Sequence, residues 1–236
     1  MNAIETRELT RKFGPVRAVD AVTMEIPEGA VFGLLGANGA GKSTLLKLLI
    51  GHLKPASGSA SVLGQPPQSA GLWERLGYVA QARYLPQWMT ARECLDFARS
   101  LRPQWDACKA AELIKRLDFP LHGRIRDLSR GHYVRLQIAL ALAHNPAAVV
   151  LDEPTSGLDP VGRHELLSIL IDEVSARGCA VLFSSHIVED IERLADHVTI
   201  MDRGKVVANG TVDALKAASA SSLERVFLEA VGRSEL

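Results

Sequence analysis

Cysteine is scarce in this chain: three residues in 236, Cys94, Cys108 and Cys179, widely spaced and forming no C-x-x-C pair. An odd, scattered set argues against a disulfide scaffold and a cysteine metal site, and reads as reduced cytosolic thiols. An excess of one charge is also missing. The 27 Lys+Arg balance 27 Asp+Glu, so the formal net charge is +0. A generic nucleic-acid or anionic-membrane binder carries a basic excess, so no nucleic-acid partner is expected. Long apolar runs are absent too. None approaches the roughly 18 residues needed to cross a bilayer. The longest candidates, 138–143 and 147–151, are separated by His144, Asn145 and Pro146. Met1-Asn2-Ala3-Ile4-Glu5 lacks the basic flank and apolar core of a signal peptide. If the protein works at a membrane, another chain must do the crossing.

What remains is ordinary globular material, 47% hydrophobic and 23% charged, of a length that suits one large α/β domain or two small ones. Residues 4–35 read as short strands with turns at Phe13-Gly14-Pro15 and Pro27-Glu28-Gly29. The apolar run 30–35 suits a strand buried on both faces, and it runs through a glycine-rich turn into a helix over 42–50. Residues 58–77 look turn-rich, and 77–80 reads as another strand. Helical patterns then dominate 90–144, starting at Thr90-Ala91-Arg92-Glu93, whose spacing suits a capping box. Within 107–117, Ala110, Leu113, Ile114 and Leu117 share one helical face. Strand and helix alternate again from 148. A strand over 148–151 precedes a helix carrying Leu166, Leu167, Leu170, Ile171 and Val174, then a strand over 180–183. Segments 198–201 and 205–208 flank Asp202-Arg203-Gly204 as a hairpin, and 217–222 reads as a connector to a final helix.

Gly36-Ala37-Asn38-Gly39-Ala40-Gly41-Lys42-Ser43 fits G-x-x-x-x-G-K-[ST], with the strand before and helix after that the motif requires. Its glycines let consecutive backbone N–H groups converge on phosphate oxygens, and the helix N-terminus adds partial positive charge. Lys42 would reach the β- and γ-phosphates, and the Ser43 hydroxyl would ligate Mg²⁺. An apolar strand ending in Asp152-Glu153 supplies a second pair. At the carboxyl end of a parallel strand, Asp152 suits the Mg²⁺ shell and Glu153 suits the polarisation of an attacking water. His186 and Gln81 each follow a strand at the same edge, where imidazole could donate to a γ-phosphate and an amide could contact Mg²⁺ or water.

In this order, these pieces resemble the ATP-binding cassette (ABC) family of transporter ATPases. Leu128-Ser129-Arg130-Gly131-His132 is similar to the family signature L-S-G-G-Q, with Arg130 and His132 as departures. Pro154-Thr155-Ser156-Gly157-Leu158-Asp159 resembles the loop that follows the family's catalytic Glu. The resemblance implies a single domain over 1–236: a P-loop NTPase core with a mixed, mainly parallel sheet, an antiparallel β portion at its N-terminal side, and a helical insertion over about 82–146. It implies MgATP held by Gly36, Asn38, Gly39, Gly41, Lys42, Ser43, Thr44 and Asp152, with Phe13 stacked on adenine. Glu153 would be the general base, His186 would contact the γ-phosphate, and Gln81 would sense the nucleotide. Ser129 and Gly131 would close on the ATP of a second, head-to-tail cassette, with Asp159 at that interface. Arg135 occupies the position of the family's arginine on the signature helix.

Partners follow from the same resemblance. A separate transmembrane permease would dock near Tyr84, Leu85, Trp88 and Met89, leaving the cassette cytoplasmic and peripheral on the membrane's inner face. The segment from Ser222 to Leu228 is similar to the closing helix of single-cassette subunits in drug and antibiotic export, with no room after it for a regulatory domain. Export is therefore the expected direction. The alternatives are a non-transport ATPase acting on ribosomes or DNA, or an ATP-binding regulatory subunit. One P-loop, no heptad array and no basic face weigh against the first, and the presence of Glu153 and His186 against the second.

Overall fold

The computed structural model describes residues 2–175, 178–219 and 222–232. Strands β1 (Asn2–Phe13) and β2 (Val16–Pro27) precede β3 (Val31–Leu35) and helix α1 (Lys42–Leu49). Strand β4 (Ser57–Val62), the short helix α2 (Leu72–Arg75) and β5 (Leu76–Val79) come next. Three helices follow, α3 (Ala91–Leu101), α4 (Ala107–Leu117) and α5 (Arg130–Leu142), before β6 (Ala148–Asp152) and α6 (Pro160–Ser175). The chain continues through β7 (Ala180–Ser185), α7 (Val188–Leu194), β8 (His197–Asp202), β9 (Lys205–Thr211), α8 (Val212–Ser219) and α9 (Leu223–Ala230).

Two sheets organise these elements. One is antiparallel, in the order β2-β1-β4; the other runs β5-β6-β7-β3-β8-β9, parallel except for the β8–β9 hairpin. This is the α/β architecture expected, with three helices inserted between β5 and β6. Every residue of β6 and β7 is buried, which is why both read as nearly continuous apolar runs. One apolar cluster joins the inner face of the antiparallel sheet to α1 and one face of the parallel sheet, through Ile4, Ile26, Phe32, Leu45, Leu49 and Leu182. On the opposite face, Leu35, Val79, Leu151 and Phe183 pack in one cluster with Leu113, Tyr133, Leu136 and Ile138 of the inserted helices.

Several local readings need correction. The N-terminal strands are not short: β1 and β2 have 12 residues each. They absorb register shifts at irregular positions, with Glu8 and Ala21 at positive φ, so one hairpin bends without ending. Within the turn-rich stretch 58–77 lies β4, whose Ser, Gly and Ala carry no period-2 signal; pairing with the edge of β1 makes it a strand. Ser184 and Ser185 belong to β7, and α8 runs through Ser219 into the supposed connector. Residues 220 and 221 of that connector lie outside the described residues, as do Met1 and the side chain of Val174.

The capping box at Thr90 forms. Glu93 N–H donates to Thr90 Oγ1 at 3.2 Å and Thr90 N–H donates to the Glu93 carboxylate at 2.8 Å. Leu166, Leu167 and Leu170 of α6 are buried, as are Ala110, Leu113 and Leu117 of α4. Cys94 and Cys179 are buried and Cys108 is exposed, and burial pushes the Cys94 thiol up to about 11. Among the described residues no helix is long and apolar enough to cross a membrane. Tyr84 and Trp88 are 64% and 72% exposed, while Leu85 and Met89 pack against the core.

Candidate functional site

The site begins where β3 ends. Gly41 has a φ of 103°, and a Cβ there would lie 2.2 Å from the Ala18 carbonyl oxygen, so both conformation and space require glycine. The turn delivers the chain to α1 with no side chain capping its N-terminus, leaving an anion-attracting helix end. Lys42 is buried, and its ammonium folds back to donate to the carbonyls of Gly36 at 2.6 Å and Ala37 at 3.2 Å. In front of this turn is a cleft of about 560 Å³, a nucleotide-sized space. Residues 37–44 line one side, with Val16, Arg17, Ala18, Gln81, Glu153, Arg203 and Gly204 around the rest.

The ends of β6 and β7 bring the acids to this turn. Ser43 Oγ donates to Asp152 Oδ1 at 3.0 Å, and Ser184 Oγ donates to the same oxygen at 3.0 Å. Burial pushes the Asp152 carboxyl up, against the pull of these two hydroxyls. At Glu153 the chain turns with a φ of 50°, a left-handed conformation that costs a non-glycine residue about 1 kcal/mol. The Glu153 N–H donates to Ser184 Oγ at 3.0 Å, fixing the turn from behind. Glu153 is 3% exposed, with Oε1 3.0 Å from Lys42 Nζ and Oε2 2.7 Å from His186 Nδ1. Lysine and serine from α1, two acids from the end of β6 and a histidine just beyond β7 thus meet at one sheet edge.

The donor set also fits Mg²⁺. Ser43 Oγ and Asp152 Oδ1 are hard oxygen donors side by side, while no group of three or more His, Cys, Asp or Glu among the described residues could hold a metal. Mg²⁺ commonly takes one or two protein oxygens and completes its shell with water and phosphate.

Asn38, Gly39, Gly41, Lys42, Ser43, Thr44, Gln81 and Glu153 line the cleft, and Gly36 contributes a carbonyl to Lys42. Phe13 does not line it: the ring is 47% exposed, and the Arg11 guanidinium covers it 4.8 Å from the centroid. Val16 to Ala18, just beyond the β1–β2 turn, form that wall instead. Ser129 and Gly131 are also absent from it. Ser129 Oγ caps α5 by accepting His132 N–H at 3.1 Å. Arg130 Nε donates to the Ser156 carbonyl at 2.6 Å, tying the signature to the loop after Glu153. Asp159 caps α6, accepting Val161 N–H at 3.0 Å and Gly162 N–H at 2.9 Å, and these backbone donors hold its carboxyl below the usual range. Arg135 bonds the Leu117 carbonyl at 3.0 Å and Glu165 at 2.8 Å.

Sequence reasoning missed Ser184, Arg17 and Arg203. Ser184, two residues before His186, reads in sequence only as a connector, although a hydroxyl at the end of an apolar strand is a signal that could find it. Arg17 and Arg203 carry no local signal. They reach the cleft because β2 and the β8–β9 turn meet there, where Asp20 N–H donates to the Gly204 carbonyl at 2.8 Å.

A glycine turn gripping a buried lysine, with Ser43 and two strand-end acids beside it, defines the molecule as a P-loop nucleotide-binding cassette. More particularly, it belongs to the ABC transporter family, whose model matches residues 19–156, more than half of the chain. It is 38% identical over 215 residues to the Nod factor export ATP-binding protein I of Rhizobium meliloti, covering 88% of this chain and 64% of that protein. It is 36% identical over 242 residues to the probable multidrug ABC transporter ATP-binding protein YbhF of Escherichia coli (strain K12), covering 97% of this chain and 41% of that protein. A solved structure of the ATP-binding subunit of an ABC transporter superposes with a TM-score of 0.86 at 27% identity, over 97% of this chain and 99% of that one. The chain spans 62–64% of the length of three curated relatives it matches.

Proposed function

We propose that this chain is the ATP-hydrolysing subunit of an ABC exporter. The observation that carries the reading is a nucleotide-sized cleft lined by Lys42, Ser43 and Glu153, with Asp152 bonded to Ser43 and His186 bonded to Glu153 behind them. Lys42 and the N–H groups of the turn bind the phosphates, exchanging the Gly36 and Ala37 carbonyls for phosphate oxygens. Ser43 and Asp152 hold Mg²⁺, with Gln81 beside them. When bound, Mg²⁺ neutralises charge on the phosphate oxygens. Glu153 is the base that takes the proton of the attacking water, and His186 braces its carboxylate and reaches for the γ-phosphate. Phe13 stacks on adenine once its ring turns from Arg11.

Ser129 and Gly131 lie outside the cleft that holds Lys42, which favours a role against the nucleotide of a second cassette. Residues 82–146 act as a helical unit, with Asp159 at the dimer interface. The exposed Tyr84 and Trp88 suit docking to a separate transmembrane permease, which places the cassette peripherally on the cytoplasmic face. Export follows the name of the Nod factor export relative and the resemblance of the closing helix. Glu153→Gln tests the centre of this reading. It keeps shape and removes the base, so kcat should fall at least about a hundredfold while MgATP affinity is retained. Turnover within about tenfold of wild type would remove Glu153 from the mechanism.

A further inference from the structure

Asp190 lies on α7, is 2% exposed, and does not line the cleft. Its Oδ2 accepts the Thr155 hydroxyl at 2.6 Å and stands 3.5 Å from Ser185 Oγ, while Oδ1 faces Arg163 Nε of α6 at 3.4 Å. Thr155 sits two residues after Glu153, in a turn closed by Ser156 N–H donating to the Glu153 carbonyl at 3.1 Å. Ser185 directly precedes His186, and its hydroxyl oxygen accepts Ile187 N–H at 3.0 Å. One buried carboxylate thus grips the turn that carries Glu153 and borders the strand end that carries His186.

We propose that Asp190, acting mainly through the Thr155 hydroxyl, is a positioning residue that fixes the Glu153–His186 pair for hydrolysis. The assignment rests on the reading of Glu153 as base. The left-handed backbone at Glu153 is a conformation its own residue type does not favour, so contacts around it must hold it. The short bond to Thr155 is such a contact. Buried and shielded from water, it has no solvent substitute, because moving Thr155 away would leave a hydroxyl and a carboxylate unpaired together. The Arg163 guanidinium supplies a counter-charge and anchors the carboxylate to a third element. Without the hydroxyl, the Glu153 turn can relax and its carboxylate drift from the 2.7 Å contact with His186. Catalysis is steep in such displacements, whereas phosphate binding by the glycine turn is not.

Thr155→Val removes the hydroxyl and keeps the side-chain shape. It should lower kcat about tenfold while ADP affinity, measured without Mg²⁺, changes by less than about twofold. Thr155→Ser should keep kcat within about threefold of wild type. In the nucleotide-free protein, the His186 imidazole ¹H–¹⁵N signal should shift in Thr155→Val and stay near its wild-type position in Thr155→Ser. If Thr155→Val does not fold, Asp190→Asn is read by the same measurements, with the same expectation. Wild-type kcat together with an unmoved His186 signal in the valine variant would overturn the proposal. So would equal losses in the serine and valine variants. Glu153→Gln, run alongside, separates the two claims: if it stays active, the base assignment fails and the imidazole signal alone decides the link. If it is inactive while Thr155→Val matches wild type, the link fails and the base assignment stands.

Discussion

At the scale of single residues, the departures at the signature show how a backbone can use a position whose side chain has changed. His132 stands where the family pattern has Gln, yet its contribution to the fold is its N–H, which caps through Ser129 Oγ at 3.1 Å. Any residue but proline supplies that group. Arg130, where Gly is frequent, bonds the Ser156 carbonyl in the same chain. His132→Gln keeps the cap and is expected to leave ATPase activity within about tenfold of wild type, about 1.4 kcal/mol of barrier. A steady-state assay checks this, and complete loss would mean the ring itself takes part. Residues contiguous in a motif were legible for a physical reason: a phosphate turn needs adjacent N–H groups, so Gly36 to Ser43 must be adjacent in sequence. Ser184 and Asp190 act across strands and helices, and no spacing rule announces them.

At the scale of elements, the inserted helices are joined to the parallel sheet by close backbone packing. A Cβ at Gly77 of β5 would lie 2.5 Å from the Ala141 carbonyl of α5 and 3.2 Å from a Val149 methyl. Helix α5 cannot retreat, because Tyr133, Leu136, Ile138, Ala139 and Leu142 are buried around it. Gly77→Ala is therefore expected to cost about 2–3 kcal/mol, read as a lower urea midpoint with an unchanged slope. An unchanged midpoint would show that the two backbones can separate freely. Helices α3 and α4 were legible because caps and 3.6-residue periodicity are local. Strand β4 was not, because its six residues gain their hydrogen bonds from β1, some 50 positions earlier.

At the scale of the whole molecule, stability should depend on pH through His144, which ends the inserted segment beneath β5. The ring is fully buried, with Nε2 3.3 Å from the Leu76 carbonyl. Burial, and then the Arg102 charge, push its pKa down to about 4, below the value of about 6.5 in an unfolded chain. Between those values the unfolded state binds the extra proton. Stability is then fully present above pH 6.5 and falls as pH drops through the window, by at most about 1.4 kcal/mol per unit. His144→Gln should flatten that part of the profile in urea titrations at pH 4 to 7; an identical slope would assign the effect to other groups. A second tie across the molecule is ionic: Lys109 and Arg116 of α4 hold the buried Glu173 of α6 at 2.6 and 3.0 Å. By itself the sequence determined the phosphate turn, the acid-ended strand and the α/β class, because these rest on neighbouring N–H groups, residue periodicity and apolar content. Tertiary structure alone decided that Val16 to Ala18 and Arg203 would wall the cleft. It also decided that Lys42 would pair with Glu153, and that Asp190 would stand behind the pair. Those contacts join residues distant in sequence, and only the order of strands in the sheet brings them within hydrogen-bonding range.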